Sequence, residues 1–401
     1  MPAPPNSAGG PVQLFWSGAE VLVPAKNMDA YNPALREWSV VFSNSNLPLA
    51  GAEVWTGTSL LYFGGQGCLV ANSFMGQCPL AESFDPATPE VLGTFSTQGA
   101  PAYRFGASTV WSGSKMIVWG GQGIEPDPAG GYDTVTYNDG GIYDPASESW
   151  TSIGASAAPE PRWAHSAVWT GSQMIVWGGA LLVAGGAPIP QAGTIPDASA
   201  APPIRPADAG TAYDPSSDTW SALPTAGQPA PRGAHVAVWT GTEMIVWGGA
   251  TIKKDPVEGF PSTDLSPPLA DGAAYNPTTL NWRPIAPAPS GGLTQAVAVW
   301  TGSEMLVWGG FDESGFSNHG YRYNPSTDTW QYITTIGAPE PRIAMGAVWT
   351  GQSLIVWGGN GDGYNESNGA EWSPTPGAGS DAAVEPVDAP TDGGGYEEMQ
   401  P

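Results

Sequence analysis

Apolar residues along this chain come in short runs closed off by glycine. The run "SQMIVW" (172–177) follows "RWAHSAVW" (162–169), with Thr-Gly between them and Gly-Gly after. Both runs are rich in Val, Ile and Trp, and Thr-Gly is a turn signal, so the segment predicts one tight β-hairpin. The hairpin then recurs. "AVWTGSQMIVWGGA" at 167–180 returns as "AVWTGTEMIVWGGA" at 237–250, "AVWTGSEMLVWGG" at 298–310 and "AVWTGQSLIVWGG" at 347–359. Looser copies extend the series to seven Trp-(Ser/Thr)-Gly turns, at Trp16, Trp55, Trp111, Trp169, Trp239, Trp300 and Trp349. A glycine pair closes the second run in six of them; the first copy, "FWSGAEVLVPAKN", lacks it.

Each hairpin is followed by an aromatic-x-Pro signature, at Tyr31, Phe84, Tyr143, Tyr213, Tyr275, Tyr323 and Trp372. Seven residues beyond the aromatic stands Trp38, Trp150, Trp220, Trp282 or Trp330; Val91 takes that place in the second copy and Gly379 in the last. "GTAYDP" predicts a third strand running into an Asp-Pro turn, and "DTWSAL" a fourth. A repeat of about 50 residues with Gly-Gly, then Tyr, then Trp resembles the kelch repeat, over roughly residues 11–376. The resemblance implies an all-β fold: a kelch-type β-propeller with four antiparallel strands per blade, set radially around a channel. Seven hairpins predict seven blades, the last short of its outer strand, with residues 1–10 as a segment that would supply it. The alternative is six blades, closed by residues 28–42 beside the last hairpin. Residues 377–401 hold Gly, Ala, Pro, Asp and Glu without Lys or Arg, and read as a disordered acidic tail.

Repeated tryptophans read as packing between blades, because a lone four-stranded sheet cannot bury both faces. Nearly all length variation falls between the second and third strands, in loops 64–80, 121–140, 180–210, 249–271, 310–319 and 359–369. These loops share one face of a propeller. Variable loops on a rigid scaffold are where binding is usually placed.

Charge narrows the partners. The chain has 401 residues and a net charge of −25, with only 12 Lys and Arg. No basic stripe serves a duplex nucleic acid or an anionic membrane. No apolar run approaches the roughly 18 residues of a membrane span. Cys68 and Cys78, ten apart, predict a disulfide closing a surface loop and so an oxidising compartment, extracellular, periplasmic or cell-surface; two inert thiols are the alternative. "MPAPPNSAGG" lacks a leader, so export implies a signal removed from this chain.

Candidate chemistry is sparse. Arg104, Arg162, Arg232 and Arg342 each stand seven before the Trp of their own turn, half of the eight arginines in the chain. In an acidic protein such a register is a candidate anion site at the channel mouth, since guanidinium groups recognise carboxylates bidentately; pairing within the scaffold is the alternative. His165 and His235 share a register and read as scaffold. His319 with Asp312 is a weak metal candidate. Asn360, Asp362 and Glu366 in one loop, and Asp127, Asp133 and Asp139 in another, offer hard oxygen ligands for Ca²⁺ without the spacing of a calcium loop. No other cofactor is expected. No GxSxG, HExxH or P-loop pattern occurs. Galactose oxidase looks like a propeller of this type, but its copper site needs histidine, tyrosine and cysteine together, and here both cysteines share one peripheral loop. The expectation is a non-enzymatic binding module that holds a peptide, protein or glycan on the long-loop face. A structural subunit of an extracellular assembly and a sugar-active enzyme at the central channel are the alternatives.

Overall fold

The computed structural model describes residues 12–24, 28–42, 50–65, 78–88, 92–126, 132–182, 204–251, 267–362 and 366–374. Every helix or strand among them is a β-strand, and no helix is long and apolar enough to cross a membrane. Seven antiparallel sheets follow one another along the chain. Blade 4 shows the plan. Its innermost strand, Ser166–Trp169, pairs with Met174–Trp177, then Thr211–Asp214, then the outer Thr219–Ala222. Inner strands of blades 2 to 7 lie side by side in order, and that of blade 7, Gly346–Trp349, meets Phe15–Trp16 of blade 1.

The unbroken apolar second strand follows from this arrangement. Successive side chains of a strand face opposite ways, and here each face meets another blade. Ile175 and Trp177 pack with Met244 and Val246 of blade 5. Met174 and Val176 pack with Ile117 and Trp119 of blade 3. Each of the seven seams has such a cluster. The last sets Leu14, Val21, Val23 and Tyr31 of blade 1 against Ile355 and Trp357 of blade 7, so the ring shuts at seven. Residues 28–42 pair inside blade 1, with Val21 opposite Tyr31, and the six-blade alternative does not hold.

Aromatic rings lock the seams. Trp119 lies 5.3 Å from Trp220 of the next blade, Trp247 5.0 Å from Trp330, and Trp357 4.5 Å from Trp38 across the closure. Outer-strand indoles also donate their N–H to a carbonyl of the preceding blade: Trp150 to Ser96, Trp220 to Gly154, Trp282 to Pro224 and Trp330 to Ala286. Blade 7 has three strands among the described residues, ending with Gly369–Trp372. Residues 1–10 and 377–401 lie outside the described residues.

The two faces differ as expected. On one, short turns are uniform. Thr240 Oγ1 accepts the Glu243 N–H at 2.9 Å, and Gly241 takes φ 98°, a conformation that glycine adopts without strain. On the other, three second-to-third connections carry extra hairpins: Gln122–Pro126 with Tyr132–Thr136, Ala180–Leu182 with Ile204–Pro206, and Phe311–Asp312 with Gly315–Phe316.

Candidate functional site

The arginine register opens the path into each inner strand. Arg104, Arg162, Arg232 and Arg342 are all buried. Arg232 Nε donates to the Ala230 carbonyl at 2.8 Å, and Nη1 donates to the Gly248 and Asp271 carbonyls, each at 3.0 Å. Its Nη2 meets the Asp271 carboxylate at 2.9 Å. Arg104 repeats this with Ala102, Gly120 and Asp139, and Arg342 with Glu340, Gly358 and Asn368. Arg162 reaches the carbonyls of Glu160, Gly178 and Ala209. The backbone of the same register points the other way. The carbonyl of Arg162 accepts from Gly121 of the preceding blade at 2.9 Å, and that of Arg232 from Gly179 at 3.0 Å. Each arginine therefore staples its blade to the one before. The expected anion-binding ring is turned inward: these guanidinium groups satisfy buried carbonyls instead of facing solvent.

One residue further on, the repeat breaks. Phe105, Trp163, Gly233 and Ile343 follow the four arginines, and Thr294 follows Leu293, which fills the register in blade 6. Each makes an isolated antiparallel bridge to the residue after the glycine pair: Phe105 with Gln122, Trp163 with Ala180, Gly233 with Ala250, Thr294 with Phe311, and Ile343 with Asn360. The chain then passes a left-handed residue (Gly106, Ala164, Ala234, Gln295 or Ala344, φ 51–61°) into the inner strand. Neighbouring turns are tied together, Gln295 N–H to the Ala234 carbonyl at 2.9 Å and Gly106 N–H to Ala50 at 3.0 Å. A constant backbone thus holds changing side chains around the channel mouth, on the long-loop face. Phe105, Gln122, Trp163, Phe311, Ile343 and Asn360 are all partly exposed there. A variable position beside a constant one was the available signal in the sequence.

The described members of the predicted acidic and histidine sites are held mainly by neighbours in the fold. Asp139 is engaged by Arg104, whose guanidinium lies 4.3 Å over the Tyr137 ring, and Tyr137 donates to Glu125 at 3.1 Å. Asp127 and the Asp133 side chain lie outside the described residues. Glu366 stands 3.8 Å from Arg342 and accepts from Asn368 at 3.3 Å, while Asp362 is exposed. The Asn360 Oδ1 atom is buried with no hydrogen-bond partner among the described residues. Asp312 accepts the Ser314 N–H at 2.7 Å and lies 3.6 Å from His319. Burial pushes the Asp312 carboxyl up, but hydrogen bonds from Ser314 and Ser317 and the nearby His319 together outweigh it, and the net shift is downward. Among the described residues no three His, Cys, Asp or Glu side chains gather as a metal site. His165 packs where a Cβ on Gly120 would stand, 2.8 Å from that point, which is why the glycine pair is needed beside it. His235 does the same at Gly178. Cys78 is buried and disulfide-bonded; Cys68 lies outside the described residues.

Residues 205–369 match the family model of the KLHDC2/KLHL20/DRC7 Kelch-repeats domain. The match runs from blade 4 to the third strand of blade 7, and blades 1 to 3 repeat the same strand order. The chain is a kelch-repeat propeller. A comparison with curated proteins finds no match. Kelch propellers are commonly protein-interaction modules.

One seam of this kelch propeller departs from its own pattern. Glu53, Tyr62 and Glu82 sit opposite one another across three strands of blade 2, where blade 4 has Ala167, Val176 and Thr211. Pro24 of blade 1 holds the place that Phe63, Trp119 and their equivalents fill elsewhere. Tyr62 packs with Leu22, Met28 and Ala30 in that seam, and its hydroxyl accepts the Gly51 N–H at 3.1 Å. Burial lifts Glu53 to about 8 and Glu82 to about 7. Both carboxyls keep their proton in the fold at a pH where the unfolded chain loses it. Their contribution is full below the ordinary carboxylate range and is lost as pH rises through 7 and 8. The histidines act in the opposite sense at lower pH. Burial, reinforced by Arg162, pulls His165 down to about 3, and burial with Arg232 does the same to His235. Their contribution is present above about pH 6.5 and fades as pH falls toward 3. Thermal melts should therefore show a midpoint that drops between about pH 6.5 and 8.5, and Glu53→Gln should flatten the drop. A midpoint that rises over this interval in both proteins would mean that the carboxyls are ionised in the fold.

Proposed function

We propose that this propeller is a non-enzymatic binding module that takes a peptide or protein segment at the channel mouth, on its long-loop face. The observation that carries this reading is the mouth itself: partly exposed Phe105, Trp163, Phe311 and Ile343, from four blades, held on a backbone that does not change. Aromatic side chains set in a rigid frame are the usual anchors of protein interfaces. A net charge of −25 favours a partner with basic residues around its apolar contacts. The disulfide at Cys78 suits an oxidising setting, outside the cell or at its surface.

The test is an array of basic peptides and of glycans, with and without calcium, probed with the purified chain and with Trp163→Ala/Ile343→Ala. Peptide binding should weaken at least about tenfold in the variant, with the melting midpoint held. Binding to glycans alone, or peptide binding that the variant retains in full, would overturn the reading.

A further inference from the structure

The seams are not equally fastened. Besides the Trp119–Trp220, Trp247–Trp330 and Trp357–Trp38 pairs, Phe63 lies 4.9 Å from Trp150 and Trp177 5.9 Å from Trp282. Each pair joins a second-strand ring of one blade to the outer-strand tryptophan of the next. Between blades 1 and 2 both members are missing. Blade 1 has Pro24 in the second-strand place, and in blade 2 the residue opposite Phe84 is Leu92, where blade 4 sets Trp220 opposite Tyr213. The arginine register is empty here too, because Pro48 stands seven before Trp55.

The same seam holds polar groups that the others lack. Glu53, Tyr62 and Glu82 form a row across blade 2, on the face that Tyr62 packs against blade 1. Each glutamate has one carboxylate oxygen buried without a hydrogen-bond partner among the described residues. Blade 1 meets the row with Phe15, Leu22, Met28, Ala30 and Phe42, drawn from all four of its strands, and none of these titrates. Tyr62 is the titratable neighbour within the row, and burial, with both carboxyls, holds its hydroxyl well above the ordinary value. Asp29 is the one further carboxylate with buried, unpartnered oxygens among the described residues. It stands opposite Val23 on the other face of blade 1, where Trp38 and Trp357 close the seam.

We infer that the seam between blades 1 and 2 is a pH-controlled gate in the ring: as pH rises, Glu53 and Glu82 ionise against an apolar wall, and blade 1 parts from blade 2 while it stays docked on blade 7. An ionised carboxylate without a partner is costly against apolar side chains, and parting the seam gives it water. Burial alone lifts the two carboxyls, to about 8 and about 7, which places the change in that interval. Below it both protons are held and the gate stays shut; above it the closed form has lost their contribution. Opening at this seam leaves the five ring pairs whole, so it costs less than unfolding the propeller.

The test is thiol labelling of the full chain carrying Met28→Cys, in this seam, or Met174→Cys, in the seam between blades 3 and 4. Both methionines are buried, and Cys78 is already bonded. Iodoacetamide is the probe, and each rate is divided by that of a cysteine peptide at the same pH. Met28→Cys should react at least about tenfold faster than Met174→Cys, and its relative rate should rise at least about tenfold from about pH 6.5 to 8.5. Adding Glu53→Gln and Glu82→Gln should abolish the rise. Equal rates at the two positions would overturn the inference, since the seam would then open only with the whole ring. So would a relative rate at Met28→Cys that does not change with pH, or a rise that survives both glutamines. The comparison of the two single-cysteine chains is decisive whether or not the glutamine variant folds.

Discussion

Trp247→Ala should lower the folding stability by about 3–5 kcal/mol, the range for deleting a large buried aromatic side chain. Trp247 is fully buried, 5.0 Å from Trp330 and 5.8 Å from Tyr321 of the next blade, and its indole donates to the Ala270 carbonyl at 2.9 Å. The alanine leaves a cavity in the seam between blades 5 and 6 and takes one of two donors from the Ala270 carbonyl, which keeps the Ala288 N–H at 3.2 Å. Since a whole domain is stable by only about 5–15 kcal/mol, this removes a large share. The same change at Trp308 should cost clearly less, because no outer-strand tryptophan packs on it among the described residues. Urea denaturation of the two variants measures the difference. Equal losses would show that the seams do not depend on the paired rings.

Arg232→Met should cost about 3 kcal/mol, although it removes a charge from the interior. The methionine fills much of the space but leaves the Gly248 and Asp271 carbonyls without their shared donor. Lost hydrogen bonds to the Ala230, Gly248 and Asp271 carbonyls dominate the cost, although the last keeps the Gly248 N–H at 3.2 Å, because the ion pair itself is partly solvated: the Asp271 side chain is 57% exposed. Asp271→Ala alone should therefore cost well under half as much. Denaturation of both variants tests this. A loss below about 1 kcal/mol for Arg232→Met, the size of an ordinary surface ion pair, would return the arginines to the role of surface anion ligands.

Much of the architecture could be read from the residues, and the reason is physical. A seam needs the same apolar pairs in the same places, so Met174, Ile175, Val176 and Trp177 reappear in blade after blade. The arginines were visible as a register, but their direction was not. Their acceptors are backbone carbonyls, such as those of Gly248 and Asp271, and carbonyls leave no mark in a sequence. Glu53, Tyr62 and Glu82 were hidden for another reason. They are spread over 30 residues and become neighbours only when the strands of blade 2 are set in register. Phe105, Trp163 and Thr294 do not repeat, and only the bridges of the fold set them in one register at the mouth.

The left-handed turn behind each mouth residue has a further consequence. Ala164, Ala234, Gln295 and Ala344 hold the same backbone angle while the residue before them ranges from tryptophan to isoleucine. Mutation can rewrite the mouth one letter at a time, and the price in folding is small because the seams lie elsewhere. With the mouth as the proposed binding site, selectivity and robustness are inherited separately. A lineage can drift to a new partner without first passing through a broken ring.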